Sequence, residues 1–127
     1  MADETQKKTV LVVEDDPILK NLLVEDFTNK YEAVYARNGK EALSMFEEHK
    51  PSLVLLDLII PEMGGFDVLA AIRARTDALK DVPVIVVSNL GQGEDIEKAK
   101  GLGANDYLIK AEVSIEEIGK KMQTYLG

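Results

Sequence analysis

Residues 10–17 read VLVVEDDP: four apolar side chains are followed directly by three carboxylates and a proline. A run that is apolar at every position is typical of a strand buried on both faces of a parallel sheet. Asp16 followed by Pro17 predicts a helix start, with Asp16 as the N-cap and Pro17 at the first helical position. The stretch therefore predicts a strand leading into a helix. Glu14 and Asp15 either face solvent at this junction or hold a cation.

Four more apolar runs, separated by amphipathic stretches, extend this pattern along the chain. The further predicted strands are Tyr31–Ala36, which is the weakest, Leu53–Leu56, Val82–Val87 and Tyr107–Ile109. Helices are predicted where apolar residues recur every three or four positions. These stripes are Leu19, Leu22, Leu23 and Phe27; Ala42, Leu43 and Phe46; Phe66, Leu69 and Ile72; Ile96, Ala99 and Leu102; and Ile115, Ile118, Met122 and Leu126. Five alternating strand–helix units predict an α/β fold with a parallel sheet between two helical layers.

Length and composition narrow the possible classes of protein. A chain of 127 residues fits one domain, which we expect to span residues 9–127 after a polar tail at residues 1–8. The net charge of -8 argues against direct nucleic-acid binding, and the absence of cysteine excludes disulfides and zinc thiolates. No signal peptide or membrane-length apolar run is present, so we expect a cytoplasmic protein.

Polar side chains follow four of the predicted strands: Glu14 and Asp15, then Asp57, Ser88 and Lys110. In open α/β sheets the functional site lies at the carboxyl ends of the strands. The flavodoxin-like strand order 2-1-3-4-5 would place Asp57 beside Glu14 and Asp15, whereas the order 3-2-1-4-5 would leave it remote. Periodicity alone does not choose between the two orders, but only the first gives these carboxylates a shared purpose.

A cluster of carboxylates at the carboxyl edge of the sheet is expected to lie next to a positive charge. Neighbouring negative charges repel strongly at low dielectric, and Mg²⁺ is a hard cation that takes one or two carboxylates and a phosphate oxygen. An aspartate carboxylate can act as a nucleophile toward a phosphoryl group, and Lys110 offers a second positive charge for its oxygens. The pattern therefore indicates phosphoryl transfer onto Asp57.

The motifs VVEDDP, LVLLDLIIPEMGGFD, VPVIVVSN and GANDYLIKA together resemble the receiver domain of two-component response regulators. The resemblance extends from about Thr9 to Leu126. It implies a Mg²⁺-dependent phosphoacceptor, in which Mn²⁺ could substitute. The implied roles are Asp57 as phosphoacceptor; Glu14, Asp15, Asp57 and the backbone carbonyl of Ile59 as metal ligands; Lys110 as the partner of the phosphoryl oxygens; Ser88 as the switch hydroxyl; and Tyr107 as the aromatic that follows it.

Three departures from the family pattern have expected consequences. Ala111 stands where the family usually has proline after the lysine, so a trans peptide there could redirect Lys110. Asn89 replaces a small residue next to the switch hydroxyl. Ile59 and Leu90 occupy positions that influence hydrolysis of the acyl phosphate in similar domains. Because neither side chain can orient a water molecule, we expect slow autodephosphorylation.

The resemblance implies a signalling module rather than a true enzyme. A histidine kinase or histidine phosphotransfer protein would phosphorylate Asp57 and thereby switch the face made by helix 4, strand 5 and helix 5, to which a downstream protein or a second copy would bind. A phosphorylation-independent pseudo-receiver scaffold is one alternative. An aspartate-nucleophile phosphatase is another, although Ile59 occupies the position of its usual second acid. A flavin nucleotide binder shares the fold, but the acidic loop after strand 1 would repel its phosphate.

Overall fold

The computed structural model describes residues 8–16 and 31–126, and within them five strands form one parallel sheet. The strands are β1 (Lys8–Val13), β2 (Tyr31–Ala36), β3 (Leu53–Leu56), β4 (Val84–Ser88) and β5 (Asp106–Ile109). Their order is β2-β1-β3-β4-β5, which confirms the predicted flavodoxin-like order and the single-domain α/β class. β1 begins at Lys8, one residue before the expected start of the domain.

Four α-helices lie in the described part of the chain. They are α1 (Gly39–His49), α2 (Gly65–Arg73), α3 (Gly93–Gly101) and α4 (Ile115–Leu126), and they correspond to the second to fifth predicted helices. A short 3-10 helix that the sequence did not suggest, Ala78–Asp81, precedes β4. The helix predicted to start at Asp16 and Pro17 and residues 1–7 of the predicted polar tail lie outside the described residues. None of the described helices is long and apolar enough to cross a lipid bilayer.

The sheet separates two apolar layers, and alternate residues of each strand point to opposite sides. In β1, Leu11 and Val13 face the layer that contains α1 and α2, while Val10 and Val12 face the layer that contains α4. These four side chains are all buried. Burial on both faces explains why the apolar runs in the sequence are continuous.

The strand register aligns the polar residues that follow the strands. Val13 pairs with Leu56 across β1 and β3, so Glu14 and Asp57 come next at the same level. Ser88, at the end of β4, pairs with Ile109 of β5, and Lys110 comes next. The carboxyl edge of the sheet therefore collects the predicted site residues.

The start of α2 packs directly against the end of β3 because its first residue is glycine. A Cβ atom added at Gly65 would lie 2.5 Å from Leu58 Cα and 2.6 Å from the carbonyl oxygen of Asp57, whereas one at Gly64 would meet nothing within 4 Å. The backbone amide of Gly65 also donates a hydrogen bond to the Leu58 carbonyl (3.2 Å). This close approach fixes the backbone that carries Asp57.

Candidate functional site

Glu14 and Asp57 form the buried floor of the site. The Asp57 amide donates to the Val13 carbonyl (3.1 Å) and the Glu14 amide to the Ala36 carbonyl (2.9 Å), so the sheet ladder continues one residue past each strand. Only 3% of Glu14 and 4% of Asp57 is exposed to solvent. Neighbouring Asp15 is exposed, and each of the three acids offers a carboxylate oxygen within 4.8 Å of the other two.

Lys110 enters this cluster from the end of β5. Its Nζ lies 2.7 Å from Asp57 Oδ2 and 3.0 Å from Glu14 Oε2, and 17% of its side chain is exposed. Burial works to lower the pKa of Lys110, but the hydrogen bonds to the two carboxylates outweigh it and the pKa is raised. The ammonium group therefore stays charged and serves as the counter-ion of both acids.

The peptide that follows Lys110 does not displace it from the site. No peptide bond in the described ranges is cis, so Ala111 is joined through a trans bond. The Lys110 amide donates to the Ser88 carbonyl (2.9 Å), which holds the end of β5 against the end of β4. A trans bond at this position is therefore compatible with a lysine that contacts both acids.

Backbone amides hold both buried carboxylates in place. Asp57 Oδ1 accepts from the Ile59 amide (3.0 Å) while Oδ2 accepts from Lys110. Glu14 Oε2 accepts from the Asp16 amide (3.0 Å) as well as from Lys110. Burial, reinforced by the charge of Asp57, raises the pKa of Glu14 despite these hydrogen bonds. The sequence suggested Asp16 only as a helix cap. The hydrogen bond from the Asp16 amide to Glu14 depends on how the chain turns after β1, which the sequence does not show.

Leu90 lies between the two predicted switch residues. Ser88 is fully buried, and its Oγ accepts a long hydrogen bond from the Leu90 amide (3.4 Å). The Tyr107 hydroxyl donates to the Leu90 carbonyl. Burial raises the pKa of Tyr107, with smaller contributions from Asp95 and Asp57. The structure thus links Tyr107 to Ser88 through the Leu90 backbone. The apolar side chain of Leu90 gives no sign of this role in the sequence.

Ile59 and Asn89, two of the residues named above as departures from the family pattern, both expose their side chains near the site. Ile59 contributes its amide to Asp57, while its side chain is 54% exposed, the most exposed large apolar side chain among residues 8–16 and 31–126. The side chain of Asn89 is exposed, next to the buried Ser88. The metal-binding role of the Ile59 carbonyl stays a prediction.

Comparison with known proteins identifies the family of this chain. The family model for the response regulator receiver domain matches residues 10–123. The chain therefore belongs to the response regulator receiver domain family, as the sequence motifs predicted.

Similar proteins include free-standing receivers and longer regulators. The polar-differentiation response regulator DivK of Brucella anthropi is 33% identical over 123 residues, which cover 94% of this chain and 97% of DivK. The probable transcriptional regulator ycf27 of Porphyra purpurea is 37% identical over 108 residues, or 84% of this chain, but the match covers only 43% of that relative. Among solved structures, the Mn²⁺-bound response regulator Rcp1 superimposes with a TM-score of 0.78 at 30% identity, covering 92% of this chain and 90% of Rcp1.

Proposed function

We propose that this receiver domain accepts a phosphoryl group on Asp57 from a histidine kinase or a histidine phosphotransfer protein. The observation that carries the proposal is the position of Lys110 Nζ, 2.7 Å from Asp57 Oδ2, next to a second buried acid. A buried carboxylate with a fixed cation beside it is a suitable acceptor, because the cation also attracts the oxygens of an incoming phosphoryl group. The fold alone would not support this function, since many unrelated proteins share it.

The acid cluster fits a hard divalent cation. Its donors are carboxylate oxygens, the ligand type that Mg²⁺ and Mn²⁺ prefer, and its charge exceeds what one lysine neutralises. We propose Glu14, Asp15, Asp57 and the backbone carbonyl of Ile59 as the groups that would hold it. When bound, such an ion supplies positive charge that stabilises the transferring phosphoryl group. A Mn²⁺-bound neighbour such as Rcp1 supports the choice of metal.

The Leu90 backbone offers a route from Asp57 to a binding surface. A phosphoryl group that attracted the Ser88 hydroxyl would pull on the hydrogen bond from the Leu90 amide, and the Leu90 carbonyl is the acceptor of Tyr107. We propose that this change shifts an equilibrium of the face formed by α3, β5 and α4, the predicted helix 4–strand 5–helix 5 face. A downstream protein or a second copy of the domain would read that face. We further propose a cytoplasmic location and a receiver domain that spans residues 9–127.

Intact mass measurement tests the phosphoacceptor directly. The protein is incubated with Mg²⁺ and acetyl phosphate or phosphoramidate, beside Asp57→Asn and a sample with chelator. An adduct of one phosphoryl group that is lost in both controls is the expected result. No adduct under any condition would favour the pseudo-receiver scaffold. Turnover of a separate phosphate ester would favour the aspartate-nucleophile phosphatase.

A further inference from the structure

The segment from Lys110 to the first turn of α4 is anchored at the site at both of its ends. At one end, Lys110 contacts the two buried acids. At the other end, Ile118 is fully buried and lines the same small internal cavity as Glu14 and Asp57. Both ends of the segment therefore lie next to the same two buried acids.

Backbone hydrogen bonds, together with packing of the partly buried Val113 and Ile115 against the core, hold the residues between these anchors. The Ile109 carbonyl accepts from the amides of Glu112 (2.9 Å) and Val113 (3.1 Å), which closes a tight turn that contains Lys110. The side chains of Ala111 and Glu112 are exposed and anchor nothing in the core. The entry of the chain into α4 therefore contributes, with Val113, to the path of the turn.

A reciprocal capping box fixes that entry. The Glu117 amide donates to Ser114 Oγ (3.1 Å), and the Ser114 amide donates to Glu117 Oε1 (2.9 Å). The Ser114 carbonyl in turn accepts from the Ile118 amide (3.1 Å). Such a box satisfies two amides that the helix itself cannot, and it sets the direction in which the chain enters.

We propose that Ser114 and Glu117 are positioning residues for Lys110. By fixing the start of α4 they keep the turn closed, and the closed turn keeps the flexible lysine side chain between Glu14 and Asp57. Neither residue touches the carboxylates; both act through Lys110. This inference rests on the proposed phosphoryl transfer to Asp57, in which Lys110 meets the phosphoryl oxygens.

Ser114→Ala is the primary test because the side chain is exposed and its loss leaves the core intact. If the cap holds Lys110 in place, its loss should slow phosphorylation of Asp57 at saturating Mg²⁺ by about threefold to tenfold, given the free energy that a serine cap contributes. The Mg²⁺ dissociation constant, measured by calorimetry, should stay unchanged or decrease, because Lys110 competes with the ion for the same carboxylates. Ser114→Thr, which retains the capping oxygen, should restore the rate.

A second helix start provides a matched control. At α1, Asn38 Oδ1 accepts from the Glu41 amide (2.8 Å) and Glu41 Oε1 accepts from the Arg37 amide (2.7 Å), so Asn38→Ala removes a similar cap. In urea unfolding, Ser114→Ala should lower the midpoint less in a Lys110→Ala background than in the wild type, because part of its effect passes through Lys110. Asn38→Ala should lower the midpoint equally in both backgrounds.

The outcomes separate this inference from the function on which it rests. If wild-type protein gives no phosphoryl adduct, the proposed function fails. If wild type is phosphorylated but Ser114→Ala matches its rate, or loses rate and Mg²⁺ affinity together, the positioning role is overturned. Equal shifts of the urea midpoint for Ser114→Ala in the two backgrounds would overturn it as well.

Discussion

The ammonium group of Lys110 bridges two buried carboxylates, at 2.7 Å from Asp57 Oδ2 and 3.0 Å from Glu14 Oε2. The Lys110 side chain is only partly exposed, whereas those of Glu14 and Asp57 are almost completely enclosed. An ion pair of this kind contributes little relative to an apolar site, but removal of one partner leaves a buried charge uncompensated. Lys110 therefore acts as an internal counter-ion at the carboxylates that would hold a metal.

Lys110→Ala is expected to destabilise the metal-free protein by about 3 kcal/mol, because Glu14 and Asp57 lose their shared cation. Mg²⁺ should then stabilise the variant more than the wild type, since it no longer competes with the lysine for the same oxygens. Urea unfolding with and without Mg²⁺ measures both effects. Lys80→Ala, which removes a lysine from an exposed pair with Asp81 (3.4 Å), is the control and should change little. Equal Mg²⁺ stabilisation of wild type and Lys110→Ala would argue against the competition.

The raised pKa of Glu14 predicts a pH dependence of stability. Burial, the largest cause, raises this pKa above its ordinary value of 4.5. The native state therefore binds more protons than the unfolded state at pH values between the two, and stability falls as pH rises through that interval. The favourable contribution of protonated Glu14 is fully present below the unfolded pKa and is lost once pH exceeds the folded pKa.

Glu14→Gln should remove this loss, so without divalent cations the variant is expected to be more stable than wild type at pH 7 and to lose that advantage toward pH 4. Urea midpoints measured across this pH range give the comparison. Glu32→Gln makes the same chemical change at an exposed position of β2 and controls for the loss of one negative charge. A wild type that is as stable as Glu14→Gln at pH 7 would contradict the prediction.

The fold could be predicted because its main signals are local. Runs such as Val10–Val13 are apolar at every position, and this alone indicates strands that are covered on both faces. Strand order is not local, since it depends on which strands pair. It became predictable only because the order 2-1-3-4-5 gives Asp57, Glu14 and Asp15 a shared purpose and because the motifs resemble the receiver family.

Other features of the site could not be predicted, because they depend on backbone positions set by the tertiary structure. The Leu90 backbone bonds to both Ser88 and Tyr107, yet neither contact involves its side chain. The Asp16 amide contacts Glu14 only because the chain turns after β1. Ala111 suggested that Lys110 could be redirected, but the Lys110 amide donates to the Ser88 carbonyl and its Nζ donates to Asp57.

Gly65→Ala is expected to destabilise the protein by about 3 kcal/mol, since its Cβ would overlap backbone atoms of Leu58 and Asp57 that have no room to move. The same shift should slow phosphorylation, because the displaced backbone carries Asp57. The neighbouring Gly64→Ala introduces its methyl group into open space and is the matched control. Thermal unfolding and the mass assay measure the two effects. A Gly65→Ala variant as stable as Gly64→Ala would show that the close approach is not needed.

The exposed side chain of Ile59 predicts a long-lived phosphoryl group on Asp57. It stands at the rim of the site with 54% of its surface exposed, and it carries no polar atom that could orient an attacking water molecule. Ile59→Asn should therefore shorten the lifetime of the adduct by about threefold to tenfold, a modest share of what a positioned polar group can contribute, while Ile59→Val leaves it unchanged. Decay of the phosphorylated mass after removal of the donor gives the lifetimes. Decay of the wild-type adduct within seconds, or equal decay in Ile59→Asn and Ile59→Val, would show that an apolar residue at this position does not protect the acyl phosphate.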